Sequence, residues 1–571
     1  MEQPRRGRVY ALGLDVYVVL LTAALVWPLG SRGGYPVARD LVFTPRIHLR
    51  PETVGMGSGS ARAAPLDAVL AALTSVLDGA LVAKIVVPLA LLLAGWGAHR
   101  ILVGCGLAAR LVLAGLAVWN PFVVERLGLG QWALLFGYAA TIHLVRIALT
   151  RGAGRTVNRA APWLAVGAVT PTGAVLAGGT AVLMWARRSR QFAALLALVL
   201  AVQLPWVLPG LLNAAAATSD PAGIEAFAAR AERPGGALWS LVGMGGIWDG
   251  FSVPGSRTGW LGHLTSVAVL LVLVLGWRSG KVPIRLWVLG AVSFVLAALS
   301  STPAGQVLLE WAVGVLPGAG LLRDAQKWLI GFVVLVLVCA GWATADLAAT
   351  VSARAPSLAL AVVAAASLTP FLLMPDGAVV VHQVVRPTDY PPDYSEVASR
   401  VDGSEGLLVG LPWQLYRAYT WAGPYSAYDP SSRWFDTAVV TTDTLTLGDR
   451  TVRGEDQLAE RLRAPAEEGD LTALHAAGVR YVLVHNDDLR SPDSTPISTG
   501  GAGLPIQEVF AGEHLTLLEL GSPEAGPSGV ITRWWGRPAV VLATDIAVLF
   551  SVALASLGSA LKRRSPSATL R

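Results

Sequence analysis

Charge is scarce in this sequence. Of its 571 residues, 14% are Asp, Glu, Lys or Arg and 54% are hydrophobic. A soluble domain carries about 25% charged residues, so the shortfall excludes an ordinary soluble fold. Cysteine is scarcer still. The two present, Cys105 and Cys339, both lie in apolar segments, which excludes a disulfide framework or a thiolate metal site and leaves two buried thiols. No Walker loop, HExxH, Cys/His zinc spacing or GxSxG occurs, so the common phosphate-loop, zinc-protease and nucleophile-elbow chemistries have no motif here. There is no internal repeat. The net charge is +6, but the basic residues sit in short loops beside apolar runs, which excludes a nucleic-acid partner.

What is abundant is apolar sequence. Runs at 10–29, 81–98, 101–119, 131–149, 161–185, 192–212, 260–277, 282–299, 328–345, 356–374 and 538–557 are near or above the roughly 20 residues that cross a bilayer core. The first has a basic flank (Arg5, Arg6, Arg8) and no small-x-small cleavage site, so it reads as a retained helix. Leu66, Val69, Leu70 and Leu73 form one helical face, either an interfacial helix or the start of the next span. Arg110 falls near the middle of 101–119; a charge there means either that the boundary is misplaced, the preferred reading, or that the residue faces protein.

Basic clusters at the N-terminus, Arg151/Arg155/Arg159, Arg187/Arg188/Arg190, Arg278/Lys281/Arg285 and Lys562/Arg563/Arg564 belong on the cytoplasmic side. All do so if 161–185 is a hairpin broken at Thr170, Pro171, Thr172 and Gly173. The expectation is a polytopic α-helical membrane protein of roughly 10–12 transmembrane segments in the cell membrane, both termini cytoplasmic. Residues 1–374 would form the membrane domain. Charged and turn residues rise over 375–537, where strand-like runs at 406–411, 479–485 and 515–520 and a helix at 470–477 predict a small extracytoplasmic α/β domain. Residues 538–571 would be a last helix with a basic tail.

The loops placed outside carry the polar chemistry. The loop after the first span is rich in arginine, against the positive-inside rule, and holds Arg39-Asp40 before apolar Leu41-Val42-Phe43. A carboxylate there could take the proton of an acceptor hydroxyl as a lipid phosphate leaves; a solvated surface ion pair is the plainer alternative. The second loop runs from Asn120-Pro121 through Glu125-Arg126 to Gly130-Gln131, and a third holds Arg323-Asp324 with Gln326-Lys327. Arg323 and Lys327 share a helical face, suited to a lipid phosphate or to anchoring beside Trp328. Trp248-Asp249 could line a sugar site or anchor at the interface.

Taken in order, Ala38-Arg39-Asp40-Leu41-Val42-Phe43, the Asn120–Gln131 features and Arg323-Asp324/Gln326-Lys327 resemble the GT-C superfamily of membrane glycosyltransferases, in particular the cell-wall arabinofuranosyl- and mannosyltransferases that use polyprenyl-phosphate sugars. The resemblance covers about two thirds of the chain, by the spans above. It implies a GT-C-like fold and a catalytic acid in the first outer loop, a position held here by Asp40. It also implies a polyprenyl-phosphate sugar donor and a cell-envelope glycan or glycolipid acceptor, met among membrane lipid. Arg39, Arg126, Arg323 and Lys327 are then candidates for the donor phosphate. Glu125, Gln131, Trp248, Asp249 and Asp324 are candidates to line the substrates. No second acid adjoins Asp40 in a DxD pair, which leaves use of a divalent cation open. Two rival readings stand beside this one: a catalytically inactive scaffold or glycan-binding protein on the same fold, and a lipid or solute transporter, which the lack of an inverted repeat disfavours.

Overall fold

The computed structural model describes residues 2–59, 61, 63–150, 156–185, 190–213, 219–448, 450–489, 506–522 and 536–561. Arg151, Arg155, Arg187, Arg188 and the 562–564 cluster, which were to set the orientation, lie outside these residues.

Among the described residues seven helices are long and apolar enough to cross a membrane: Tyr10–Ser31, Gly79–His99, Leu107–Gly128, Trp260–Arg278, Ala325–Arg354, Pro356–Leu373 and Arg537–Leu557. Two bent pairs raise the number to as many as nine: Arg190–Ala201 with Leu204–Leu212, at 49°, and Ile284–Leu299 with Pro303–Val315, at 87°. Helices Leu134–Leu149 and Pro171–Trp185 are also apolar but have 16 and 15 residues, short of a bilayer's thickness. They account for most of the difference from the ten to twelve segments read in the sequence. Outward-facing residues such as Leu20, Leu271, Leu360 and Phe550 are large, apolar and exposed, as lipid-facing side chains are in an integral membrane protein.

Local sequence explains the breaks. The run 101–119 is helical only over Leu107–Val118, because Gly104 and Gly106 interrupt it. Arg110 therefore sits in the first turn, where it donates to the His99 carbonyl and meets His99 Nδ1, both at 3.1 Å. The stretch after Ser300, read as a loop, contains helix Pro303–Val315, started by Thr302 accepting from Gly305 N and by Pro303 at its first position. The Thr170 break separates Thr156–Gly167 from Pro171–Trp185. A Cβ on Gly173 would lie 2.3 Å from Gly167 O, and one on Gly137 would lie 2.7 Å from Gly173 Cα. Only glycine lets these three helices approach so closely.

The strands are β1 (Tyr35–Ala38), β2 (Leu41–Val42), β3 (Pro387–Thr388), β4 (Leu407–Leu411), β5 (Tyr416–Arg417), β6 (Ala427–Tyr428), β7 (Ala438–Val440), β8 (Leu445–Leu447), β9 (Arg450–Val452), β10 (Val479–His485), β11 (Gln507–Ala511) and β12 (Leu515–Glu519). A five-stranded sheet runs β11-β12-β10-β4-β7, parallel across β10-β4-β7 and antiparallel across β11-β12-β10. Leu458, Leu462, Leu471 and Leu474 cover one face, against Leu407, Val409 and Leu411. Tyr394, Val397 and Val401 cover the other, against Leu408 and Leu483. Burial on both faces explains why β4 is apolar throughout. Asp470 caps the helix leading into β10, accepting from Thr472 N and Ala473 N at 3.0 Å each.

The sheet region is stitched to the first loop. β1 pairs antiparallel with both β2 and β3, Arg39 N donates to Ser426 O at 2.8 Å, and Tyr428 N donates to Arg39 O at 2.9 Å. A chain segment next to the first helix is thus part of the same hydrogen-bonded assembly as residues almost 400 positions later.

Candidate active site

Asp40 sits at the tip of a β-hairpin. β1 and β2 pair Val37 with Val42 and Ala38 with Leu41, which leaves Arg39 and Asp40 as a two-residue loop. Arg39 has φ +54°, a left-handed conformation that non-glycine residues seldom adopt and that tight hairpins require. The turn Leu129–Gly130 presses on this tip: Asp40 N donates to Leu129 O at 3.4 Å. Gly130 has φ +85°, and a Cβ there would lie 2.5 Å from Leu41 N and 2.9 Å from Asp40 N. Both the backbone conformation and the space demand glycine.

From Asp40 a chain of polar contacts runs into the membrane part. Gln131 Nε2 donates to Asp40 Oδ2 at 3.0 Å, and Gln131 Oε1 accepts from Arg126 at 2.6 Å. Arg126 grips Asp324 with two parallel bonds of 2.6 and 2.8 Å, the strong bidentate geometry of a guanidinium on a carboxylate. Lys327 Nζ is 3.5 Å from Asp324 and also interacts with the charge of Asp40. Burial alone would raise the Asp324 carboxyl, but Arg126 and Lys327 outweigh it and hold the group below its usual range. Helix Pro121–Gly128 presents Arg126 because Asn120 caps it, accepting from Val123 N at 3.1 Å, with Pro121 at the first position.

The other oxygen of Asp40 is held from the sheet region: Tyr416 OH donates to Asp40 Oδ1 at 2.5 Å. Sequence reasoning missed Tyr416. Along β5 side chains alternate, so Tyr416 meets Asp40 while Arg417 turns inward. Arg417 is fully buried, 2.7 Å from Asp429 and 3.6 Å from Asp488. Burial would raise Asp429, but Arg417 and then His485 reverse this and bring it down to about 2. Burial, helped by Arg417, pushes His485 down to about 3.

The remaining expected residues occupy the margins. Arg39 pairs with Asp249 and stacks over the Tyr425 ring at 4.5 Å, so the tip of the hairpin touches the Trp248–Asp249 loop. Trp248 packs edge-on to Phe227 at 5.1 Å and, with Asp249, lines a cavity of about 530 Å³. Arg323 lies 3.4 Å from Glu455. Glu125, expected to line substrate, is instead fully enclosed. It accepts from Gln326 Nε2 at 2.5 Å and Ile247 N at 3.3 Å, because it leaves the short helix on a different side from Arg126 and ties down the loop before Trp248. Arg126 is likewise 0% exposed, which directs it to Asp324 and Gln131. Lys327, at 27%, is the most accessible of the four candidate cations. Among the described residues no group of three or more His, Cys, Asp or Glu side chains could hold a metal ion.

The combination of an apolar helical membrane part and a small sheet region stitched together around a hairpin-borne acid has a counterpart among solved structures. The solved structure of arabinofuranosyltransferase AftD from Mycobacteria matches it with a TM-score of 0.57 at 15% identity, over 91% of this chain and 40% of that one. This chain therefore spans about two fifths of that enzyme's length. Two structures of an AftD mutant match at 15% identity over 90% of this chain and 42% of theirs, with TM-scores of 0.49 and 0.36. No protein-family model and no curated protein matches the sequence.

Proposed function

We propose that this chain is a membrane glycosyltransferase that moves a sugar from a polyprenyl-phosphate donor to an extracytoplasmic cell-envelope glycan or glycolipid. The observation that carries the reading is Asp40: a partly exposed carboxylate at a hairpin tip, held on both oxygens by Gln131 and Tyr416. A carboxylate has about four acceptor positions, so two fixed bonds leave room for a substrate hydroxyl.

In the proposed step the acceptor oxygen attacks the anomeric carbon of the donor sugar, opposite the phosphate. Its proton passes to Asp40. The bond from that carbon to the phosphate oxygen breaks, and the polyprenyl phosphate leaves with the electron pair. Inversion follows from attack on the opposite face. Lys327 stabilises the charge that grows on the leaving phosphate, and Arg39, next to Asp40 at the hairpin tip, is the second candidate for that role. Arg126 and Asp324 fix Gln131, and so Asp40, rather than touching the phosphate. No step is routed through a divalent cation.

One observation favours the second reading, an inactive scaffold: Arg39, Arg126, Arg323 and Lys327 each already face an acidic side chain. Transfer assays with labelled polyprenyl-phosphate sugars separate the two. The enzyme transfers and its Asp40→Asn variant does not; a scaffold transfers nothing in either form.

A further inference from the structure

The cavity of about 530 Å³ beside the Asp40 hairpin is built from two distant parts of the chain. Arg230, Trp248, Asp249, Gly250 and Phe251 form one wall, and Leu447, Gly448 and Arg450, from the β8–β9 hairpin and its tip, form the other. Its volume falls in the range of about 300–1,000 Å³ typical of small-molecule sites.

The lining is mixed in a way that fits few ligand classes. Two aromatic rings, Trp248 and Phe251, supply flat apolar faces, and Phe251 is 78% exposed. Arg230 is exposed, and Arg450 pairs with Glu225 at 2.5 Å across the same seam. An alkyl chain makes no use of these polar groups. A sugar ring does not: its C–H face packs on an aromatic ring, and its hydroxyls accept from guanidinium N–H groups and donate to a carboxylate. Asp249, which closes one side, pairs with Arg39, the residue before Asp40. A glycan held in the cavity would end beside the proposed base.

We infer that this cavity is an acceptor subsite that binds an oligosaccharide through Phe251, Trp248 and Arg230. The inference rests on the transferase reading for the word acceptor, but binding itself does not. The β8–β9 hairpin then makes the sheet region part of substrate recognition.

The test uses the purified full chain in lipid nanodiscs. Binding of fluorescently labelled arabinofuranose and mannose oligosaccharides of equal length is measured by titration for the wild type, Asp40→Asn, and a Phe251→Ala/Arg230→Ala double variant. The two substituted side chains of the double variant are exposed, so it keeps its fold, which thermal melting checks. The expected result is saturable binding of at least one oligosaccharide by wild type and Asp40→Asn alike, weakened tenfold or more in the double variant. Unchanged affinity in the double variant, or no saturable binding of either oligosaccharide by folded wild type, overturns the inference. Binding that depends on Phe251 and Arg230 without any transfer upholds the subsite and refutes the transferase reading. Transfer by wild type with an unaffected double variant does the reverse.

Discussion

Replacing Tyr416 with Phe removes one hydroxyl and leaves the ring, which keeps its edge-on contact with Tyr428 at 5.9 Å. The lost interaction is a 2.5 Å hydrogen bond to a carboxylate. Bonds to charged groups contribute about 1.5–3 kcal/mol. Asp40 is only partly buried, so water regains part of this, and the net cost to the orientation of the base is about 1–2 kcal/mol. At about 1.4 kcal/mol per factor of ten, kcat falls roughly 5- to 30-fold. KM for donor and acceptor should hold if the hydroxyl acts through Asp40. Steady-state transfer kinetics on the purified protein give the split. If Tyr416 acts only through Asp40, adding Tyr416→Phe to Asp40→Asn costs nothing further, because the two are coupled. Full kcat in Tyr416→Phe, or an equal further loss in the double variant, would refute the positioning role.

Other outcomes follow from the same geometry. Arg126→Ala leaves Asp324 buried without its bidentate partner, so the fold should lose about 3–5 kcal/mol of stability and melt at a lower temperature; Asp324→Asn in the same chain should recover part of it, and an unchanged melt would contradict the pairing. Gly130→Ala should cut transfer by about tenfold or more while the sheet region still melts normally, since a left-handed backbone and a 2.5 Å contact cost about 1–3 kcal/mol locally. In the sheet region Asp429 falls from 3.8 to about 2 on folding. A depressed carboxyl stabilises the fold above pH 3.8 and loses that contribution as pH falls toward 2, about 2 kcal/mol in all. Acid titration followed by near-ultraviolet circular dichroism should show this loss, and Asp429→Asn should remove that part of the pH dependence. Transfer should survive a chelator; a large loss restored by magnesium would show a cation site that the donor set does not suggest.

Much of the architecture was readable because membrane spans and helix caps are local. The helix at 470–477 was legible with its Asp470 cap, whereas Asn120-Pro121 and Thr302-Pro303, read as parts of loops, turn out to start helices in the same local way. Asp40, Gln131, Arg126, Asp324 and Lys327 drew attention singly, as polar groups in loops beside apolar runs, and the structure joins them in one chain of contacts. Their directions were not readable. Glu125 and Arg126 are adjacent in sequence yet face different partners, because successive helix positions lie about 100° apart. Tyr416 lies 376 positions from Asp40, inside a two-residue strand too short to show a period. Nothing local distinguishes it from the other tyrosines of the sheet region. The early helix boundary at Ile101 failed for a related reason: two glycines in an apolar run leave hydropathy unchanged but break the helix.

The central claim is that Asp40 is the base of a sugar transfer. The most direct measurement gives wild-type and Asp40→Asn proteins, both shown to be folded, a panel of labelled polyprenyl-phosphate sugars and cell-envelope acceptor. A positioned general base contributes about 10²–10⁴-fold, so the wild type should transfer from at least one donor and the variant should fall by that factor. Equal transfer by both, or none by folded wild type with any donor, would contradict it.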